Sequence, residues 1–279
     1  MKRDSYKHTH GLNDKKPLEI YLFTDPFCSE CWALSPVIKK LQLQYGEYFT
    51  LKFVLCAELS VLNNHKKNDK SRPASRTALS CSGDVWLDRP MSSPYLAAIS
   101  IKAAELQGKR AGIRYLRRLQ EMLFMEEANI SDIEVLEKCA VHVGLDAAEF
   151  VRDVFSPSAA KAFQCDLTIT AEMEVSELPA IVFFNENIED EGLKVTGLYS
   201  YDIYVQILTE LLERRPLPSD VPPLEHFLTY NTIVASQDLA VIYDMPLQHV
   251  ERQMKKLQLQ RKVRRVPAAN GTYWQYNTT

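Results

Sequence analysis

The residues best placed to do chemistry are Cys28 and Cys31, separated by Ser29 and Glu30. Two thiols three positions apart on a helix lie about one turn from each other, so they can close and open a disulfide. A mostly apolar stretch, residues 18–23, and a turn, Thr24-Asp25-Pro26-Phe27, come just before them. The pair therefore falls at a helix start, where unpaired N–H groups and a partial positive charge stabilise a thiolate. Cys28 is then expected to be the exposed, attacking sulfur and Cys31 the buried, resolving one. Glu30 opposes the helix-end effect, because a carboxylate beside a thiolate raises its pKa. The pair reads either as a redox-competent dithiol or as an inherited pair with no catalytic duty. Cys56, Cys81, Cys139 and Cys165 are scattered singly and read as small buried hydrophobes. With no second close pair, a four-cysteine zinc site is not expected. His8 and His10 are two ligands without a third. No metal and no cofactor is predicted.

The elements around the pair follow from periodicity. Leu34, Val37, Ile38, Leu41 and Tyr45 recur at helical spacing, which predicts a helix over 28–45, kinked at Pro36 and ended by Gly46. Residues 51–56 read as a second strand. Strand, helix and strand in that order predict a parallel pair. Residues 58–93 read as irregular. Helices are expected over 95–109 and 111–127, and from a capping box, Ser131-Asp132-Ile133-Glu134, to near Gly144. Further helices are expected from Asp146 and over 157–174. Pro179 stands at the entrance of an apolar strand, 180–184, where proline is tolerated. A partner strand over 194–198 and a closing helix over 201–214 follow.

Residues 215–223 hold four prolines and read as a stiff linker. Beyond it, 224–279 is predicted to be a small second domain. Helices near 224–233, 236–243 and 246–259 lead into a hairpin over 262–276 that turns at Asn270-Gly271. Three helices and a hairpin look like a winged helix. Its late part is basic: Arg252, Lys255, Lys256, Arg261, Lys262, Arg264 and Arg265 stand against Glu251. A basic winged helix invites a DNA-binding reading, set against a solvated face or a protein-docking module. The whole chain carries a net charge of -3, so a general polyanion binder is not expected. Residues 1–17 are polar and read as a disordered tail. They lack the apolar run of a secretory leader or membrane anchor, which predicts a cytoplasmic protein with no membrane partner.

The Cys28–Cys31 pair, Pro36 five residues after it, and Pro179 before a late strand together resemble the thioredoxin superfamily. A helical block, about 58–174, separates the first strand-helix-strand unit from the later strands. That arrangement resembles DsbA-like proteins over residues 18–214. The expected fold is therefore α/β: a thioredoxin fold with a DsbA-like helical insertion, plus a small C-terminal winged-helix-like domain. In that superfamily the proline is cis and faces the cysteine pair, and the residue before it, here Leu178, binds an extended peptide through its backbone. Residues 21–41, 235–256 and Gly271-Thr272-Tyr273-Trp274 are similar to the YjbH (SpxH) adaptor family of low-GC Gram-positive bacteria. Membership implies an adaptor that binds the regulator Spx and promotes its degradation by the ClpXP protease. The partner-binding face is expected around Phe27, Cys28, Trp32, Leu178 and Pro179. Trp32 equally reads as core packing. Two other functions stay open: a cytoplasmic thiol-disulfide oxidoreductase working through Cys28 and Cys31, and a redox-sensing DNA-binding regulator.

Overall fold

The computed structural model describes residues 16–56, 94–187, 191–231, 233–266 and 271–277. Strand β1 (Leu18–Thr24) buries Leu18, Ile20, Leu22, Phe23 and Thr24. A strand covered on both faces belongs inside a sheet. β1 pairs parallel with β2 (Phe49–Leu55) on one side and antiparallel with β3 (Ala180–Phe184) on the other. β4 (Leu193–Thr196) pairs antiparallel with β3, giving the order β2-β1-β3-β4. Leu22 stands opposite both Phe53 and Ile181, so the register lines apolar side chains across three strands. β2 begins two residues earlier than periodicity predicts, because buried Phe49 pairs with Leu18.

The parallel pair is joined by helix α1 (Ser29–Tyr45). Leu34, Ile38 and Leu41 of α1 pack on the sheet beside Tyr204, Ile207 and Leu208 of α7 (Tyr201–Leu211). Pro36 stays within α1 and is buried; having no N–H, it cannot donate to the carbonyl four residues back. Gly46 ends α1, in right-handed conformation with φ of -63°. A Cβ there would lie 2.3 Å from the Gln42 carbonyl oxygen, so close approach, not a left-handed turn, requires glycine.

Among the described residues, five helices separate β2 from β3: α2 (Pro94–Leu106), α3 (Lys109–Glu126), α4 (Ile133–His142), α5 (Ala147–Val154) and α6 (Pro157–Glu172). Their core gathers Ile101, Tyr115, Leu119 and Phe150, and it takes in Phe27 and Leu55 from the sheet end. The residue capping α4 is Asp132, one position after the predicted Ser131; its carboxylate accepts the Glu134 N–H at 2.9 Å. Buried Lys102 of α2 meets Asp166 of α6 at 2.6 Å. Asp166 also accepts the Leu55 N–H at 2.8 Å, which ties the helical block to the end of β2. The stretch read as irregular, with Cys81, lies outside the described residues.

The C-terminal part comprises α8 (Leu224–Tyr230), β5 (Ile233–Ala235), α9 (Ser236–Tyr243), α10 (Leu247–Leu259), β6 (Val263–Val266) and β7 (Tyr273–Tyr276). The three strands form an antiparallel sheet in the order β5-β7-β6. β5 is absent from the expectation, since three residues are too short to show alternation; α8 ends at Tyr230 to make room for it. Gly271 has φ of +87° where the hairpin was expected to turn, and Asn270 lies outside the described residues. Phe227, Leu239, Met254 and Trp274 form the core here, and Leu43 of α1 packs against it. The proline-rich stretch is held to the first part: Ser219 N–H donates to Gln44 O at 2.7 Å, and Leu217 N–H to the Tyr48 hydroxyl at 3.2 Å. Among the described residues, no helix is long and apolar enough to cross a membrane.

Candidate functional site

Cys28 caps α1 in extended conformation, and its sulfur accepts the Cys31 N–H at 3.1 Å. An N-terminal sulfur taking a free helix N–H is the arrangement that helix-end chemistry demands. The Leu178–Pro179 peptide is cis. Leu178 shares one buried cluster with Cys28, Cys31, Phe23, Val54, Cys56, Ala180 and Val182. The structure thus brings the cysteine pair and the Leu178–Pro179 segment to one place, with side chains from β1, β2 and β3 closing around them.

One expectation needs correction. Cys28 is not the exposed sulfur: it is 4% exposed, against 7% for Cys31. Three strands and the segment before β3 supply the cover, which no local pattern near Cys28 announces. Burial pushes the Cys31 thiol well above its ordinary range, and the Cys28 sulfur adds to the rise. The Asp25 N–H and the Thr24 hydroxyl act the other way. Cys56, in the same cluster, is pushed up to about 12, mainly by burial; its sulfur lies 3.4 Å from the Thr170 hydroxyl. Cys139 is buried as expected, whereas Cys165 is exposed, because α6 turns Ala159, Phe163 and Asp166 inward and Cys165 outward. Among the described residues no three His, Cys, Asp or Glu side chains gather as a metal site.

Phe27, Trp32, Leu178 and Pro179 are buried as well. Trp32 packs beside Phe124 of α3, ring centroids 5.8 Å apart, with the Arg117 guanidinium 4.0 Å over its ring. The core-packing reading of Trp32 therefore describes its surroundings. Ser29 and Glu30 are partly exposed, and Ser176 and Glu177 are exposed.

Periodicity missed two groups. The first is Asp25, fully buried, whose backbone carbonyl accepts the Cys28 N–H at 3.1 Å. One carboxylate oxygen accepts the Phe27 N–H at 2.7 Å; the other finds no hydrogen-bond donor among the described residues. Burial raises its pKa from 3.8 to about 7, against the lowering effect of that N–H. A carboxylate set between Phe23 and Phe27 was the available signal, hidden by its place in an ordinary Thr-Asp-Pro turn.

The second is a clamp behind α1. Arg117 of α3 donates to Ser35 Oγ of α1 at 2.6 Å and to Asp238 of α9 at 3.1 Å, and pairs with Glu121 at 3.3 Å. Buried Lys40 of α1 reaches Asp244, just past α9, at 2.6 Å, and sits 4.0 Å over the Tyr201 ring. The helix carrying the cysteines is thus gripped by the helical block and by the C-terminal part together.

Similarity to known proteins assigns the chain. A family model described as thioredoxin matches residues 21–206. Two solved structures share the fold. A putative protein disulfide isomerase from Nitrosomonas europaea has a TM-score of 0.58 and 18% identity, over 71% of this chain and 98% of that one. The cytosolic disulfide reductase DsbM of Pseudomonas aeruginosa has a TM-score of 0.51 and 18% identity, over 70% of this chain and 98% of that one. Relatives of full length are nearer in sequence. The ClpXP adapter protein SpxH of Bacillus subtilis is 50% identical, over 98% of this chain and 94% of its own. The protein of that name from Halalkalibacterium halodurans is 44% identical, over 98% of this chain and 93% of its own. A DsbA-like thioredoxin fold and likeness over nearly the whole length leave one assignment: this chain belongs to the SpxH family of ClpXP adapter proteins.

Proposed function

We propose that this chain acts in the cytoplasm as an adapter that binds the regulator Spx and promotes its degradation by ClpXP, contributing binding rather than thiol turnover. The observation that carries this is identity of 42–50% over nearly the full length to proteins named ClpXP adapter protein SpxH. An adapter works by raising the effective concentration of substrate at the protease, or by holding a segment in a form the protease can engage. Either requires a stable scaffold and docking faces, not a reactive sulfur. Thiol-disulfide exchange needs an accessible thiolate. A buried Cys28 and a Cys31 thiol raised by burial fit that duty poorly, so oxidoreductase activity is at most residual.

The reading divides the chain into a DsbA-like unit, 18–214, a proline-rich connection, 215–223, and a winged-helix-like unit, 224–279. The succession of three helices and a hairpin supports the last name. One docking face lies over Phe27, Cys28, Trp32, Leu178 and Pro179. Those buried residues shape its floor, and Ser29, Glu30, Ser176 and Glu177 offer polar groups at its rim. Purified ClpXP, ATP and Spx with and without this chain test the reading. Spx is expected to disappear several-fold faster with the chain present, as effective concentration requires. An unchanged rate would refute it.

A further inference from the structure

Charge in the C-terminal part is sorted by direction. Residues 224–279 hold four acids, Glu225, Asp238, Asp244 and Glu251, against seven Lys and Arg. Every acid is engaged. Asp238 and Asp244 turn toward Arg117 and Lys40 of the first part; Glu225 pairs with Lys262, and Glu251 accepts the Ser236 hydroxyl. Arg252, Lys255 and Lys256 of α10 are exposed and have no acidic partner among the described residues.

α10 separates its two sides cleanly. Val250 and Met254 face the core. Gln248, Arg252, Lys255 and Lys256 recur at spacings of three and four, which places them on one outward side. Together with Glu251, whose carboxylate accepts the Ser236 hydroxyl, they line an open surface depression whose ends are Leu247 and Leu259, exposed by 44% and 85%. Three cations against one carboxylate, between two bare leucines, leave the depression net positive and complement a segment that is acidic in its middle and apolar at its ends.

We propose that the outward face of α10 is a docking surface for such an acidic protein segment. This rests on the adapter reading, in which two proteins must be met and one face lies over the cysteine pair. Two features disfavour nucleic acid as the occupant. Leu247 and Leu259 gain nothing from a phosphate backbone. The local charge of +3 sits in a chain of -3, so the rest of the molecule is acidic. A long polyanion running off the patch is repelled by that remainder, while a short acidic segment feels only charges within about a Debye length of 8 Å.

The test uses the full chain with Arg252→Glu, Lys255→Glu and Lys256→Glu together, and a milder variant with glutamine at the same three positions. Binding of purified Spx, purified ClpX and a short DNA duplex is measured separately at low and moderate salt, with circular dichroism confirming the fold. For one of the two proteins, affinity is expected to fall about tenfold or more on reversal, and by less in the glutamine variant. The wild-type affinity for that same protein should weaken with salt. Unchanged affinity of the reversed chain for both proteins overturns the α10 surface and leaves the adapter reading standing. Tighter wild-type binding to the duplex than to either protein also overturns it. A wild-type chain that binds neither protein overturns the adapter reading itself, and the surface with it.

Discussion

Asp25→Asn is expected to stabilise the folded chain by about 4 kcal/mol at pH 8 and to change it little near pH 4. Asp25 is completely buried, and its pKa rises from 3.8 to about 7 on folding, chiefly through burial. A group raised in this way favours the folded state fully below its unfolded pKa. Its contribution is lost as pH climbs through the folded value, because the native chain must then hold a charge away from water. Each decade of acidity between the two values costs about 1.4 kcal/mol, which sums to about 4. Asparagine is neutral throughout, keeps an oxygen for the Phe27 N–H, and so behaves like the protonated acid. Urea unfolding of both chains at pH 4, 6 and 8 reads the difference directly. A difference that grows with pH over this window supports the assignment. A constant difference, or one that shrinks with pH, contradicts it.

Arg117→Ala is expected to cost about 3–5 kcal/mol, the usual penalty for leaving a buried partner uncompensated. Asp238 and Glu121 keep only 6% and 8% of their side-chain surface in contact with solvent. Burial raises the Asp238 pKa, and Arg117 is the main group opposing that rise, with a smaller contribution from a backbone hydrogen bond at Ala235. Without the guanidinium, Asp238 takes up a proton more readily, so the penalty should be smaller at pH 5 than at pH 8. The loss should also be local. The contacts broken join α1 and α3 to the start of α9, so protease cleavage within 215–223 should accelerate, because local opening tracks local stability. Asp238→Asn placed in the Arg117→Ala chain should recover part of the loss, since it removes the stranded charge. Equal stability of wild type and Arg117→Ala would show that the clamp holds nothing.

Part of this architecture was legible in the sequence. β1, α1 and β2 could be placed because each writes its own period into a short stretch, and Cys28 could be placed at a helix start from the turn before it. The cover over Cys28 could not, because it is assembled from Phe23, Val54, Ala180 and Val182 on three strands, with Leu178 from the segment before β3. Asp25 hid in a stretch whose residue types announce only a turn. Nothing near Arg117 and Lys40 in the sequence marks them, since their acidic partners lie 121 and 204 residues away. β5 failed for a different reason: three residues acquire strand character only by pairing with β7. Cys165 shows the limit of reading cysteine as a buried hydrophobe, because residue type does not fix which side of α6 it occupies.

The adapter function should belong to the scaffold and not to the sulfurs. The direct measurement is ClpXP degradation of purified Spx in the presence of wild-type chain or of Cys28→Ala with Cys31→Ala, with unfolding curves showing both chains folded. Acceleration of Spx loss by the double variant to about the wild-type extent is the predicted result. Loss of that acceleration in a folded double variant would contradict it and would return the cysteine pair to the centre of the mechanism.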